Sequence, residues 1–147
     1  MRKTNFLSTV VLGLVLSAGS AYAHGDAAKP AHGGQMGSAG ALDLELVVAK
    51  DSKEARDNPI VVYVTDHAGK NIATAGATGS ATFLAGKDKA TTALVPDGDN
   101  RMKGSAKYAS VAELKAIISV TLAGKTAEQA RFTPLAAAAD GHTDHTH

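Results

Sequence analysis

The sequence predicts an all-β domain: an immunoglobulin-like antiparallel β-sandwich of seven or eight strands, set between flexible N- and C-terminal arms. Three observations predict it. Short segments alternate apolar and polar residues with a period of two, turn-forming clusters separate them at roughly ten-residue spacing, and only Val111 to Lys115 has any helical character. The composition agrees, because three Phe, three Tyr and no Trp leave an aliphatic core to be built from small β-branched residues.

The elements follow in order. Leu42, Leu44, Leu46 and Val48 alternate with Asp43 and Glu45 as one half-buried strand, and the polar run Lys50 to Pro59 ends it. Ile60 to Thr65 is a β-branched core strand, closed by a turn at Asp66 to Lys70. Asn71 to Ala77 and Ser80 to Leu84 read as two further strands around Thr78-Gly79, and Thr91 to Val95 as the next. Pro96 to Asn100 is a turn, Arg101 to Ala106 a short edge strand, and Ala116 to Leu122 and Thr126 to Phe132 complete the set. The interior is expected from Leu44, Leu46, Val62, Val64, Phe83, Leu94, Ile118, Val120 and Phe132.

Residues 1–23 read as a secretory signal peptide. Arg2 and Lys3 precede an apolar stretch, Val10 to Leu16, that is too short to cross a ~30 Å hydrocarbon core, so no stable membrane anchor is expected. Ala21-Tyr22-Ala23 then offers small residues at the cleavage site, which makes His24 the first mature residue and the periplasm the expected location. Residues 24–40 lack apolar periodicity and are expected to be a Gly-rich flexible arm, residues 41–135 the folded domain, and residues 136–147 a flexible polar tail.

Several function classes are excluded. With Arg2 and Lys3 removed, 13 basic residues face 14 acidic ones, and no basic face for nucleic acid is implied. The absence of cysteine removes disulfides, thiolate metal sites and a cysteine nucleophile. Gly86-Lys87 lacks the rest of a phosphate-binding loop, since Ala81 and Asp88 occupy the other required positions. Asp97-Gly98-Asp99 fails as a calcium loop at Met102 and Tyr108, and no serine sits in a nucleophile elbow with His67. The chain is expected not to be an enzyme.

The histidines remain. Five of the six fall in the two arms: His24 and His32 in the first, His142, His145 and His147 in the second. Imidazole suits copper, zinc and nickel. A mature N-terminal His24 would carry an α-amine and an imidazole on one residue, a chelate for Cu(II) that Asp26 could extend. Asp140 and Asp144 add carboxylates to the tail cluster, His67 occupies a loop at one end of the domain, and His32 with Met36 pairs an imidazole with a thioether, a set that suits Cu(I).

The segments Val64-Thr65-Asp66-His67 with Gly69-Lys70, Ala75 to Gly79, and Gly98 to Gly104 resemble small periplasmic proteins encoded with heavy-metal efflux systems. A looser similarity, carried by His24 alone, is to periplasmic copper-resistance β-sandwich proteins that bind Cu(II) through a histidine N-terminus. These resemblances imply a metal-binding accessory protein that buffers or delivers copper, or zinc, nickel or cobalt, to an envelope efflux component. The competing expectation is a structural or adaptor sandwich that binds another envelope protein through a strand edge, with incidental histidines.

Overall fold

A computed structural model describes residues 29–137, all of them in strands, turns and loops. The signal segment, His24, Asp26 and the tail from Asp140 to His147 lie outside the described residues. Eight antiparallel strands form: β1 (Gln35–Ala39), β2 (Leu42–Val48), β3 (Arg56–Asp66), β4 (Thr78–Ala85), β5 (Asp88–Pro96), β6 (Arg101–Tyr108), β7 (Lys115–Thr121) and β8 (Ala127–Phe132).

Their order is β1-β2-β3-β6-β5-β4-β7-β8, in a single sheet. Within it, β3-β6-β5-β4 is a Greek key: three hairpin-connected strands, with the strand that precedes them returned to the far side. Two four-stranded halves can be distinguished, because β5 and β6 pair only through Val95↔Lys103 and Pro96↔Met102. The terminal strands meet again on the opposite side. Thr133 N–H donates to the Gln35 side-chain carbonyl at 2.8 Å, and the Phe132 ring packs against the backbone of Gly37. The predicted antiparallel all-β domain is therefore present, and it takes the form of one nearly closed, barrel-like sheet.

Period-two alternation places the core. Leu42, Leu44, Leu46 and Val48 of β2 are buried, as are Ile60, Val62 and Val64 of β3 and Ile118 and Val120 of β7. Phe83, Leu94, Met102 and Phe132 fill the interior between them, and all nine residues expected inside are buried. The turn between β1 and β2 has only two residues, and Gly40 at the first takes φ +58°, a conformation that favours glycine in such hairpins.

Four segments depart from the sequence expectation. Gln35 to Ala39 lies within the expected arm yet forms β1, because the exposed backbone of β2 offers it a full register from Gln35↔Leu46 to Ala39↔Leu42. The polar run before Pro59 is already strand from Arg56, paired with β6. Continuing the β2–β3 register past Val48↔Ile60 brings Ala49 opposite Pro59, and the Tyr108 hydroxyl stands between them. It accepts from Ala49 N–H at 2.9 Å and donates to Pro59 C=O at 2.6 Å, replacing the next rung of the ladder.

Asn71 to Ala77 is a loop with one isolated bridge, Thr65↔Asn71. The buried Thr74 ties it down: its N–H donates to Asp99 C=O at 2.8 Å, and its hydroxyl lies 3.1–3.3 Å from the carbonyls of Gly98, Asp99 and Arg101. Finally, Arg101 to Ala106 belongs to a central strand, β6 between β3 and β5. Gly104 permits this, since a side chain there would press on Ala93 C=O and Leu94.

Candidate functional site

Strand alternation turns Asp43 and Glu45 to the outer surface of β2, and each carboxylate meets a histidine supplied by another part of the chain. Cross-strand register sets Glu45 in a row with Met36 of β1, Tyr63 of β3 and Arg101 of β6. Asp43 lies in the next such row, with Ser38 and Thr65, roughly 7 Å along the strand.

Residues 31–34 fold back across the Glu45 row. The carboxylate accepts from the N–H groups of Ala31 at 3.2 Å, His32 at 2.7 Å and Gly34 at 3.0 Å. It also meets His32 Nδ1 at 2.9 Å. This covering segment explains why Glu45 is buried although its strand position faces outward. Burial alone would raise the Glu45 pKa, but the His32 imidazole and the Gly34 and His32 N–H groups together hold it below the usual value.

A carboxylate only accepts, so His32 Nδ1 carries a proton toward Glu45, and in its neutral form the ring would present a lone pair at Nε2. The ring lies flat on Tyr63, with centroids 3.5 Å apart and planes 3° apart. Among the described residues Nε2 has no hydrogen-bond partner, and 43% of the side chain is exposed. Carboxylate on one nitrogen and a free lone pair on the other is the arrangement that orients metal-ligating histidines. Beside the ring is a cavity of about 140 Å³, lined by Lys29, His32, Met36, Glu45, Tyr63 and Asn71 among others.

His67 is held differently. Its Nδ1 lies 3.1 Å from Asp43 Oδ1 and its Nε2 lies 3.0 Å from Gly40 C=O, so both nitrogens face acceptors. Both must donate for both bonds to form, which favours the imidazolium. The hydrogen bond to Asp43 is the largest cause of its raised pKa, followed by the Gly40 carbonyl. A metal at His67 would have to displace one of these bonds.

His32 and His67 thus attach to separate carboxylates, and among the described residues no three His, Asp or Glu side chains converge on one point. His24, Asp26, His142, His145 and His147 lie outside those residues. Sequence reasoning missed Glu45, Asp43 and Tyr63 as partners of the histidines. Glu45 read simply as the polar half of an alternating strand, and no spacing ties it to a histidine 13 positions earlier. No protein-family model, curated protein or solved structure matches the chain.

Proposed function

We propose that this chain is a non-catalytic periplasmic metal-binding accessory protein, exported and cleaved before His24, that buffers or delivers copper to an envelope efflux component. Cu(II) is the preferred cargo, with zinc, nickel or cobalt as lesser ones. The single observation that carries the proposal is the His32–Glu45 pair: an imidazole fixed by a carboxylate and an aromatic face, with its second nitrogen free of partners among the described residues. His24 lies eight residues before His32, a sequence separation that spans at most roughly 29 Å. An α-amine and imidazole from His24 with the His32 imidazole would give Cu(II) three nitrogen donors, and Asp26 an oxygen.

The finer fold description also belongs to this proposal. The short β5–β6 junction supports treating the two halves as the layers of an immunoglobulin-like sandwich, the architecture of the copper-resistance proteins that the N-terminus resembles. Calorimetric titration of the mature protein with Cu(II) tests the function. Stoichiometric binding is expected, weakening by about tenfold or more in His32→Gln, in line with losses seen when a metal's coordination environment is disturbed. Binding that never saturates at a fixed ratio would overturn the proposal and leave the adaptor role in its place.

A further inference from the structure

The sheet opens where β5 and β6 separate. From Asp88 to Leu94 β5 pairs with β4 alone, and from Gly104 to Tyr108 β6 pairs with β3 alone, because the β5–β6 ladder holds only Val95↔Lys103 and Pro96↔Met102. Gly104 still lies close to Ala93 C=O, so the two strands part beyond it, toward Asp88 and Tyr108. A cavity of about 530 Å³ occupies this mouth, between the end of the β4–β5 hairpin and the loop at 109–114. It shares no lining residue with the cavity beside His32. Mouths of β-barrels are a recurrent place for small-molecule sites, which occupy about 300–1,000 Å³.

The walls are apolar and held in place. Phe83 and Tyr108 stack with ring centroids 4.8 Å apart and planes 13° apart, and Val111 and Leu114 continue the apolar lining. The Tyr108 hydroxyl is taken by Ala49 N–H and Pro59 C=O, which leaves the ring and not the polar tip to meet a ligand. The loop at 109–114 is pinned by Ser110, whose N–H donates to Ser52 C=O and whose hydroxyl donates to Ala49 C=O, each at 2.7 Å. Ala85 and Ala90 share the inner face with Phe83, and both are only half-buried. Larger apolar side chains there would fill the mouth and bury more surface, so packing alone does not account for the two alanines.

Four charged residues line the opening, and strand alternation sorts three of them. Asp88, opposite Ala85, falls on the inner face with Ala90 and Phe83, whereas Lys89 falls opposite Leu84 and Lys107 opposite Asp57, on the outer face. The fourth, Glu113, sits on the loop beside the buried Leu114. Among the described residues neither carboxylate is in an ion pair. An apolar interior with carboxylates at its entrance suits an apolar body that ends in a cationic head, and an alkylammonium keeps its charge at neutral pH as lysine does. From these observations we infer that the mouth binds an amphipathic organic cation, its apolar body against Phe83, Tyr108 and Leu114 and its ammonium head toward Asp88 and Glu113. This site uses none of the histidines and goes beyond metal carriage.

The experiment titrates the full mature chain with three probes of equal chain length, octylammonium, octanol and octanoate, each below the concentration at which it self-associates, followed by NMR. Octylammonium is expected to saturate at one equivalent and to bind tightest, with octanoate weakest. The Phe83 and Tyr108 ring resonances should shift while those of Tyr63, beside His32, stay where they are. Asp88→Asn changes an exposed side chain and should leave the melting curve unchanged. It should weaken octylammonium by about threefold, the scale of one exposed charge pair, and leave octanol unaffected. Ala90→Leu should fill the mouth and weaken all three probes together. Octanoate binding as tightly as octylammonium, an unaltered octylammonium affinity in Asp88→Asn, or shifts that leave Phe83 and Tyr108 untouched would overturn the inference. Octylammonium affinity should be the same with and without Cu(II), so a failed metal site and a failed cation site give different results.

Discussion

Two histidines of this protein rest on carboxylates of one strand, yet the partner at the second ring nitrogen gives them opposite properties. His32 has none among the described residues, whereas His67 Nε2 faces the Gly40 carbonyl, and that single difference separates a candidate ligand from a charged tether. The His67 pKa is raised above its unfolded value of 6.5, so its contribution to stability is fully present below about pH 6.5 and disappears as pH rises through the folded-state value. Comparing the protein with His67→Gln by urea unfolding across pH 5 to 9 should show the native chain more stable at the acid end and the two converging at the alkaline end. A difference that stays constant with pH would show that the ring acts by packing alone. Glu45 has the reverse sign: lowered below 4.5, it stabilises the fold above that pH and ceases to do so as pH falls through its folded-state value.

At the scale of elements, the seam between β1 and β8 closes the sheet through side chains where a hydrogen-bonded ladder is missing. Gly37 lies close against β8, for a Cβ there would come within 2.8 Å of two Phe132 ring atoms. Gly37→Val should therefore displace the ring and cost about 1–3 kcal/mol, as overpacking does. Hydrogen exchange should quicken in β1 and β8 while β4 and β7 keep their protection; uniform loss across all strands would place the closure elsewhere. This strand was not legible in the sequence, because Gln-Met-Gly-Ser-Ala has no apolar alternation and owes its conformation to the neighbouring edge of β2 and to Phe132. β2 was legible because its apolar residues alternate, the centre of β3 because its run is β-branched, β7 because it is strongly apolar, and β8 because a turn at Ala123 to Lys125 precedes it. Thr74 shows the opposite failure: Ile72 and Thr74 suggest a strand, but bonds to the backbone of the loop at 98–101 hold the segment out of any ladder. The candidate site was half legible. His32 and Met36 could be named from residue type, whereas the Glu45 clasp that orients the imidazole depends on a chain reversal that only the fold supplies.

Across the whole molecule, the apolar interior and the two described histidines have different locations. The interior is an unbroken apolar cluster from Ala39 to Phe132, with every buried side-chain polar atom among the described residues paired, and nothing in it calls for a metal. His32 lies against its outside, on the segment that leads into β1, so under the proposed function a metal held there would come and go without unfolding the sheet. Under the proposed function, that division predicts an affinity set by residues outside the apolar interior. The most direct test is Cu(II) affinity, measured by competition with a chelator, in the authentic mature chain and in a version with one extra residue before His24. Every side chain is kept and only the terminal chelate is lost. Markedly weaker binding in the extended chain, with affinity in the authentic one falling as pH drops through about 6 to 7, is the predicted result. Equal Cu(II) affinity in the two chains would contradict it.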